Sequence, residues 1–354
     1  MRKVINIGLI GYGSAGRIFH APMIASLEGL NLYKVYETRE ENINALRKLF
    51  QNALVTNNVD EILEDENIEL VIIATPNSIH YTLAKKALEK GKNVVLEKPF
   101  TVNTKEADEL IKLAKNKNKL LTVHHNRRWD SDFRTVKKVI ENNLLGEIVE
   151  YEAHFDRFRN YLKENSWKEE NHAGSGILYD LGSHLIDQAQ CLFGLPKEIF
   201  ADLRIQRENS NIIDNFEVIL NYDKLKVTLK AGMLVREKGP HFIVLGTKGS
   251  FIKYGMDIQE ENLKNGLIPK DFNDWGKEPE TLWGKINTEV NELHMDGKIE
   301  SELGDYRSFY KNVYLSILGE EELEVKPIQA RNTIRIIELA QKSSEEKMWI
   351  KFTP

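Results

Sequence analysis

The chain has 354 residues, more than one ordinary hydrophobic core accommodates, so two domains are expected. With 41% hydrophobic residues and a formal charge of −5 it has a globular composition and no electrostatic reason to bind nucleic acid or an anionic membrane. The single cysteine, Cys191, excludes an internal disulfide framework and a cysteine-based zinc site, and no apolar run approaches the ~20 residues of a transmembrane helix.

In chain order, Met1-Arg2-Lys3 leads directly into a strand, with no signal peptide expected and the cytoplasm as the expected compartment. That strand, Val4–Ile10, runs into Gly11-Tyr12-Gly13-Ser14-Ala15-Gly16 and then into a helical pattern. Strand, Gly-x-Gly-x-x-Gly turn and helix start are the setting in which this motif binds a dinucleotide. The first glycine turns the chain, the second lets the backbone approach a pyrophosphate, and the third lets the helix pack on the strand. Free N–H groups at the helix start favour the anion.

The next strand, Leu32–Glu37, closes on Glu37, roughly 20 residues after Gly16, where an acidic residue binds the adenosine ribose. Arg39 follows two residues on, so on an extended chain the two side chains point the same way and can pair. Glu37 argues for NAD and against the extra phosphate of NADP, which Arg39 could grip. NAD is expected to be slightly favoured, with NADP still accepted.

Strand-like runs at Ala53–Thr56, Leu70–Thr75, Asn93–Glu97 and Leu120–His124 alternate with helical patterns such as Ser78–Lys90 and Thr104–Lys117. This alternation predicts a doubly wound parallel sheet, an α/β domain over residues 1–123. Ligands gather at the carboxyl ends of such strands. Three ends carry polar or conformationally special residues: the glycine turn, Thr75-Pro76-Asn77 with His80, and Glu97-Lys98-Pro99. A lysine at Lys98 can hydrogen-bond a substrate oxygen and stabilise charge developing on it, and Pro99 restricts it to extended geometry.

From residue 124 the rhythm changes, and a second domain over 124–354 is expected. Ser131–Asn142 and Ile177–Phe193 read as helices and Glu147–Phe158 as a long strand. Glu198–Gln206, Asn215–Asn221, Lys226–Leu234, Phe242–Leu245 and Ser250–Tyr254 then follow as strands without long helices between them, which predicts a largely antiparallel sheet. Residues 255–303 read as loop with short helices, Asp305–Leu318 and Pro327–Ser344 as helices, and Met348–Phe352 as an edge strand.

Within the second half, Asp180 and His184 are four apart and share a face of a regular helix. A histidine with a carboxylate one turn away can act as general base or acid near neutral pH. Asp187 is a rival orienter. His124-His125, His154 and His172 lack metal-ligand spacing, so no metal is expected. There is no Gly-x-Ser-x-Gly elbow, Cys191 reads as core, and Gly246-Thr247-Lys248-Gly249-Ser250 reads as a turn between strands and not as a phosphate loop.

Together, the glycine turn, Thr75-Pro76-Asn77 with His80, Glu97-Lys98-Pro99 and Asp180-x-x-x-His184 resemble the Gfo/Idh/MocA family over nearly the whole chain. Asn126-Arg127-Arg128-Trp129-Asp130, His154–Arg159 and Gly246–Ser250 are similar to its scyllo-inositol 2-dehydrogenase branch. The resemblance implies an N-terminal Rossmann domain, a C-terminal α/β domain with a large open, mostly antiparallel sheet, and a homodimer or homotetramer. It implies NAD(P)-dependent oxidation of a ring hydroxyl in a cyclitol or sugar. Lys98, Asp180 and His184 would be catalytic, with cofactor contacts from Gly11–Gly16, Glu37, Arg39, Thr75, Pro76, Asn77, His80, Glu97 and Lys98. Asn126, Arg128 and Asp156 are candidates for substrate contact. Two other readings are a non-catalytic dinucleotide-binding redox sensor and a redox-neutral NAD-dependent glycosidase. The presence of both Lys98 and His184 favours the dehydrogenase over the sensor, and cofactor turnover in solution separates it from the glycosidase.

Overall fold

The computed structural model describes residues 3–163 and 169–354. Among the described residues the chain forms two sheets, of six and nine strands. The first comprises β1 (Ile5–Ile10), β2 (Leu30–Tyr36), β3 (Leu54–Thr56), β4 (Leu70–Ile73), β5 (Asn93–Leu96) and β6 (Leu121–Val123). They lie in the order 3-2-1-4-5-6, and every pair is parallel. All four residues of β4 are buried, as a strand covered on both faces requires. Helices His80–Glu89 and Thr104–Asn116 connect successive strands of this sheet. The second of them is capped by Asn103, whose side chain accepts the Glu106 N–H at 2.9 Å. The strand order reverses between β1 and β4, which makes their carboxyl ends the switch point where doubly wound sheets bind ligands.

The second sheet comprises β7 (Ile148–His154), β8 (Glu198–Arg204), β9 (Asn215–Tyr222), β10 (Leu225–Gly232), β11 (Phe242–Gly246), β12 (Gly249–Lys253), β13 (Gly284–Val290), β14 (Leu293–Ile299) and β15 (Ile350–Lys351). Their order is 14-13-12-11-7-10-9-8-15, antiparallel throughout except for β7 beside β10. The turn expected at Gly246–Ser250 joins β11 to β12. The helix Ser183–Phe193, its first eight residues all buried, packs on β10.

Two expectations are corrected. Residues 255–303, read as loop with short helices, contain the β13–β14 hairpin, turned at Asn291-Glu292 with φ of 51° and 65°. The edge strand β14 has six exposed residues of seven, so it lacks the alternation that reveals a half-buried strand. The stretch 177–193 is not one regular helix: Leu178–Gly182 is a π-helical turn that precedes the α-helix from Ser183.

The chain packs as two compact units, Met1–Asn126 with Gln259–Trp275 and Asp305–Arg331, and Arg127–Ile258 with Gly276–Gly304 and Asn332–Pro354. The first unit therefore includes two segments from beyond residue 124. No helix of the described residues is long and apolar enough to cross a membrane.

Candidate functional site

In the first unit, β1 delivers the glycine turn. Gly11 has φ +101°, and a Cβ there would lie 2.4 Å from the Ala74 carbonyl oxygen, so only glycine fits. A Cβ on Gly16 would lie 2.1 Å from the Gly11 carbonyl oxygen, because the start of the helix is pressed against the turn. At Gly13 the one described neighbour within 4 Å of such a Cβ is the Arg39 guanidinium, at 3.3 Å. The turn thus keeps an open backbone face beside a cation, which fits a dinucleotide's phosphates. Tyr12 contributes backbone to this turn, but its side chain is wholly buried, and burial, opposed by Arg17, pushes its hydroxyl up to about 12. The chain leaving the turn is π-helical over Gly16–His20, and His20 is completely buried.

At the end of β2, Glu37 and Arg39 pair as their spacing suggests. Glu37 Oε1 accepts the backbone N–H groups of Thr38 and Arg39 at 2.9 and 3.0 Å and Arg39 Nε at 3.1 Å. Its Oε2 accepts Arg39 Nη2 at 2.9 Å and Asn42 Nδ2 at 2.7 Å. Burial would raise the pKa of Glu37, but the donors from Arg39, Asn42 and Thr38 outweigh it and hold the carboxyl down at about 2. The Glu37 side chain is 5% exposed and that of Arg39 64%. The carboxylate is thus occupied by the chain itself, and the guanidinium is what this strand end presents to solvent.

Thr75, Pro76 and Asn77 follow β4, with Asn77 opening a 3₁₀ turn. His80 is wholly buried, with Nε2 3.0 Å from the Thr75 carbonyl oxygen and Nδ1 3.0 Å from that of Pro99. It links two strand ends and offers no open ligand atom. Burial also lowers its pKa, consistent with a neutral ring that donates to one carbonyl at a time. At the end of β5 the Lys98–Pro99 peptide is cis, and the Lys98 N–H donates to Glu97 Oε2 at 3.0 Å. Glu97 itself turns inward. Its Oε1 lies 2.9 Å from both His20 Nε2 and His124 Nδ1, and His20 Nδ1 is bonded to the Tyr310 hydroxyl. Asn126, also in this unit, is buried at the start of a 3₁₀ turn.

In the second unit, Gly174 and Gly176 take φ of 81° and 84°, and the π-helical turn carrying half-buried Asp180 follows directly. The one-turn spacing of a regular helix therefore holds only from Ser183 onward. His184 is 6% exposed, with its ring stacked on that of Phe155 at 6.4 Å between centroids and 26° between planes. The guanidinium carbons of Arg127 and Arg157 lie 4.9 and 5.1 Å from the same Phe155 ring centroid, which surrounds it with cationic groups. Asp187 accepts Arg128 Nε at 2.8 Å and Nη2 at 2.7 Å, a buried bidentate pair. Asp156 Oδ1 accepts the Gly232 N–H at 3.1 Å, and Oδ2 lies 3.4 Å from His154 Nδ1.

His20, His124, Tyr310 and Asn42 escape a reading by motif. Asn42 sits five residues after Glu37 and could have been found as a helix-borne partner. His20, Glu97 and His124 are brought together from a helical turn and two strand ends, and no spacing rule reaches them.

The first 125 residues match, over 5–125, the family model described as oxidoreductase family, NAD-binding Rossmann fold, and residues 137–352 match the oxidoreductase family, C-terminal alpha/beta domain; both carry the Gfo/Idh/MocA name. The chain is 39% identical over 351 residues to the scyllo-inositol 2-dehydrogenase (NADP(+)) IolW of Bacillus subtilis, covering 99% of this chain and 97% of that protein. It is 40% identical over 348 residues to the uncharacterized oxidoreductase YdgJ of Escherichia coli, covering 98% of each. Among solved structures, yvaA from Bacillus subtilis superposes with a TM-score of 0.95 at 38% identity, covering 99% of both chains.

Proposed function

Because the chain belongs to the Gfo/Idh/MocA family of oxidoreductases, we propose that it is an NAD(P)-dependent dehydrogenase acting on a ring CH–OH group of a cyclitol or sugar, with scyllo-inositol the first substrate to test. The observation that carries this reading is the glycine cradle at the switch point of the parallel sheet, with the Arg39 guanidinium beside Gly13. Full-length similarity to a scyllo-inositol 2-dehydrogenase supports the substrate class.

When bound, the dinucleotide accepts or returns a hydride at C4 of its nicotinamide. In the oxidation direction, Lys98 donates a hydrogen bond to the substrate oxygen and stabilises the charge that develops there. His184 takes the hydroxyl proton on an imidazole nitrogen, and Asp180 orients the surrounding network. The alcohol carbon loses a hydride and its oxygen a proton, leaving a ketone; reduction runs the same steps backwards. The same reading has the enzyme working in the cytoplasm as a homodimer or homotetramer, which light scattering tests.

The cofactor part of the proposal is NADP over NAD, the reverse of the slight preference for NAD expected from Glu37 and Arg39 in the sequence. Glu37 already accepts five hydrogen bonds from its own chain, so it has little capacity left for ribose hydroxyls. Arg39 is exposed and held in place by that carboxylate, a suitable seat for a phosphate. The NADP(+) in the name of the Bacillus subtilis relative supports the same choice.

The test is a panel of cyclitols and aldoses with each cofactor, followed by the absorbance of reduced nicotinamide. At least one polyol should reduce NADP⁺ over many turnovers. Tight nucleotide binding with no turnover on any member of the panel would favour the sensor.

A further inference from the structure

His20, Glu97, His124 and Tyr310 come from the helical turn after the glycine cradle, the end of β5, the end of β6 and the helix Arg307–Leu318, and all four are buried. One carboxylate oxygen, Glu97 Oε1, accepts from both imidazoles at 2.9 Å, and the Tyr310 hydroxyl closes on the far nitrogen of His20. These are the only histidine–carboxylate atoms among the described residues grouped as metal ligands are, all within 4.8 Å. Ligands bound tetrahedrally at ~2.05 Å, however, sit about 3.3 Å apart. The two 2.9 Å contacts are closer than that and have the length of charge-assisted hydrogen bonds.

The proton inventory follows from the partners. A carboxylate oxygen only accepts, so His20 carries a proton on Nε2 and aims it at Glu97, while its Nδ1 is bonded to the Tyr310 hydroxyl. His124 donates from Nδ1, which leaves its Nε2 bare, buried and without a partner. Burial would raise Glu97, but the two imidazoles hold it well below the usual carboxylate range; burial and His20 push His124 down to about 4. The arrangement is one buried carboxylate held by two imidazoles. A buried carboxylate is costly unless its lone pairs are filled. Here both oxygens are used, Oε1 by the two rings and Oε2 by the backbone N–H of Lys98.

We infer that His20, His124 and Tyr310 are positioning residues that act through Glu97 to fix Lys98. The inference rests on the reading of Lys98 as the donor to the substrate oxygen. His20 lies four residues after Gly16 and donates to Glu97, so the network ties the nucleotide-binding turn to the strand end that carries Lys98. Loss of a ring would leave the carboxylate free to rotate and release the Lys98 N–H. Small misplacements of this kind can cost roughly 10²-fold in rate.

The test is a double-mutant cycle between His20→Phe and Lys98→Met, with NADP⁺ and the polyol turned over fastest in the panel above. His20→Phe keeps the ring volume and removes both hydrogen bonds. It should lower kcat by roughly 10- to 100-fold while the Kd for NADPH, read by fluorescence, changes less than about threefold. In the Lys98→Met background it should cost less than about twofold, since the group it positions is gone. Tyr310→Phe, which removes only the outermost hydroxyl, gives the same pattern in smaller measure if His20→Phe does not fold. A readout without turnover is hydrogen exchange of the Lys98 amide, which should quicken at least about tenfold in His20→Phe while amides of β1 stay protected. A His20→Phe loss undiminished in the Lys98→Met background, or an unchanged Lys98 amide, overturns the positioning role alone. Wild-type kcat in Lys98→Met overturns the reading of Lys98 and the positioning role with it.

Discussion

Arg39 donates from Nε and Nη2 to the two oxygens of Glu37, at 3.1 and 2.9 Å. The buried carboxylate orients the exposed guanidinium, and on the proposed function Arg39 is the residue that decides cofactor choice. Arg39→Ala should raise the KM for NADP⁺ roughly 10- to 100-fold, the scale of a lost charge-assisted pair, and leave that for NAD⁺ within about threefold. Equal changes for the two cofactors would remove the phosphate from this seat.

Lys98→Met removes a donor while keeping most of the side-chain volume. The nucleotide should still bind with nearly unchanged Kd, and kcat should fall roughly 10²-fold or more, the cost of losing a preorganised donor to developing charge. Steady-state kinetics beside a fluorescence titration with NADPH separates the two effects. A variant with normal turnover would place the donor elsewhere.

His184 must be neutral to accept a proton, so kcat/KM for oxidation should rise with pH through an apparent pKa. In His184→Ala that limb should vanish along with most of the rate. Both oxygens of Asp187 accept from Arg128, which counts against it as the substitute base. A pH profile unchanged in His184→Ala would turn attention to Asp180.

The Glu37 carboxyl is held at about 2 in the folded chain against an ordinary 4.5. A lowered folded pKa contributes stability that is complete above the unfolded value and is lost as pH falls toward the folded one. Thermal unfolding followed by circular dichroism should therefore show Tm dropping between pH of about 4.5 and about 2, and Glu37→Gln should flatten part of that drop. An identical acid limb in the variant would mean that other carboxylates, Glu97 among them, carry all of it.

Much of the first sheet was legible because its signals are local. Apolar runs such as Leu70–Ile73 must be covered on both faces, and strands alternating with helices leave few other topologies. Gly11 and Gly16 were legible for the same reason: within six residues of chain the turn needs a positive φ at Gly11 and leaves no room for a Cβ on Gly16 against the Gly11 carbonyl oxygen. The β13–β14 hairpin was not, because an edge strand exposed over six of seven residues has no apolar alternation to display.

What only the tertiary structure decided is how the polar groups spend their hydrogen bonds. The sequence by itself determined that Glu37 would stand at the end of the second strand and that Arg39 would be able to pair with it. It could not determine that Thr38, Arg39 and Asn42 together would fill the carboxylate's hydrogen bonds, the observation on which the proposal of NADP rests. Likewise Glu97 stood beside Lys98 in plain view, but its partners His20 and His124 lie 77 and 27 residues away. Periodicity and turn chemistry act over a few residues and are written locally. A buried charge is satisfied by whatever donors the packing brings within about 3 Å, and those come from anywhere in the chain.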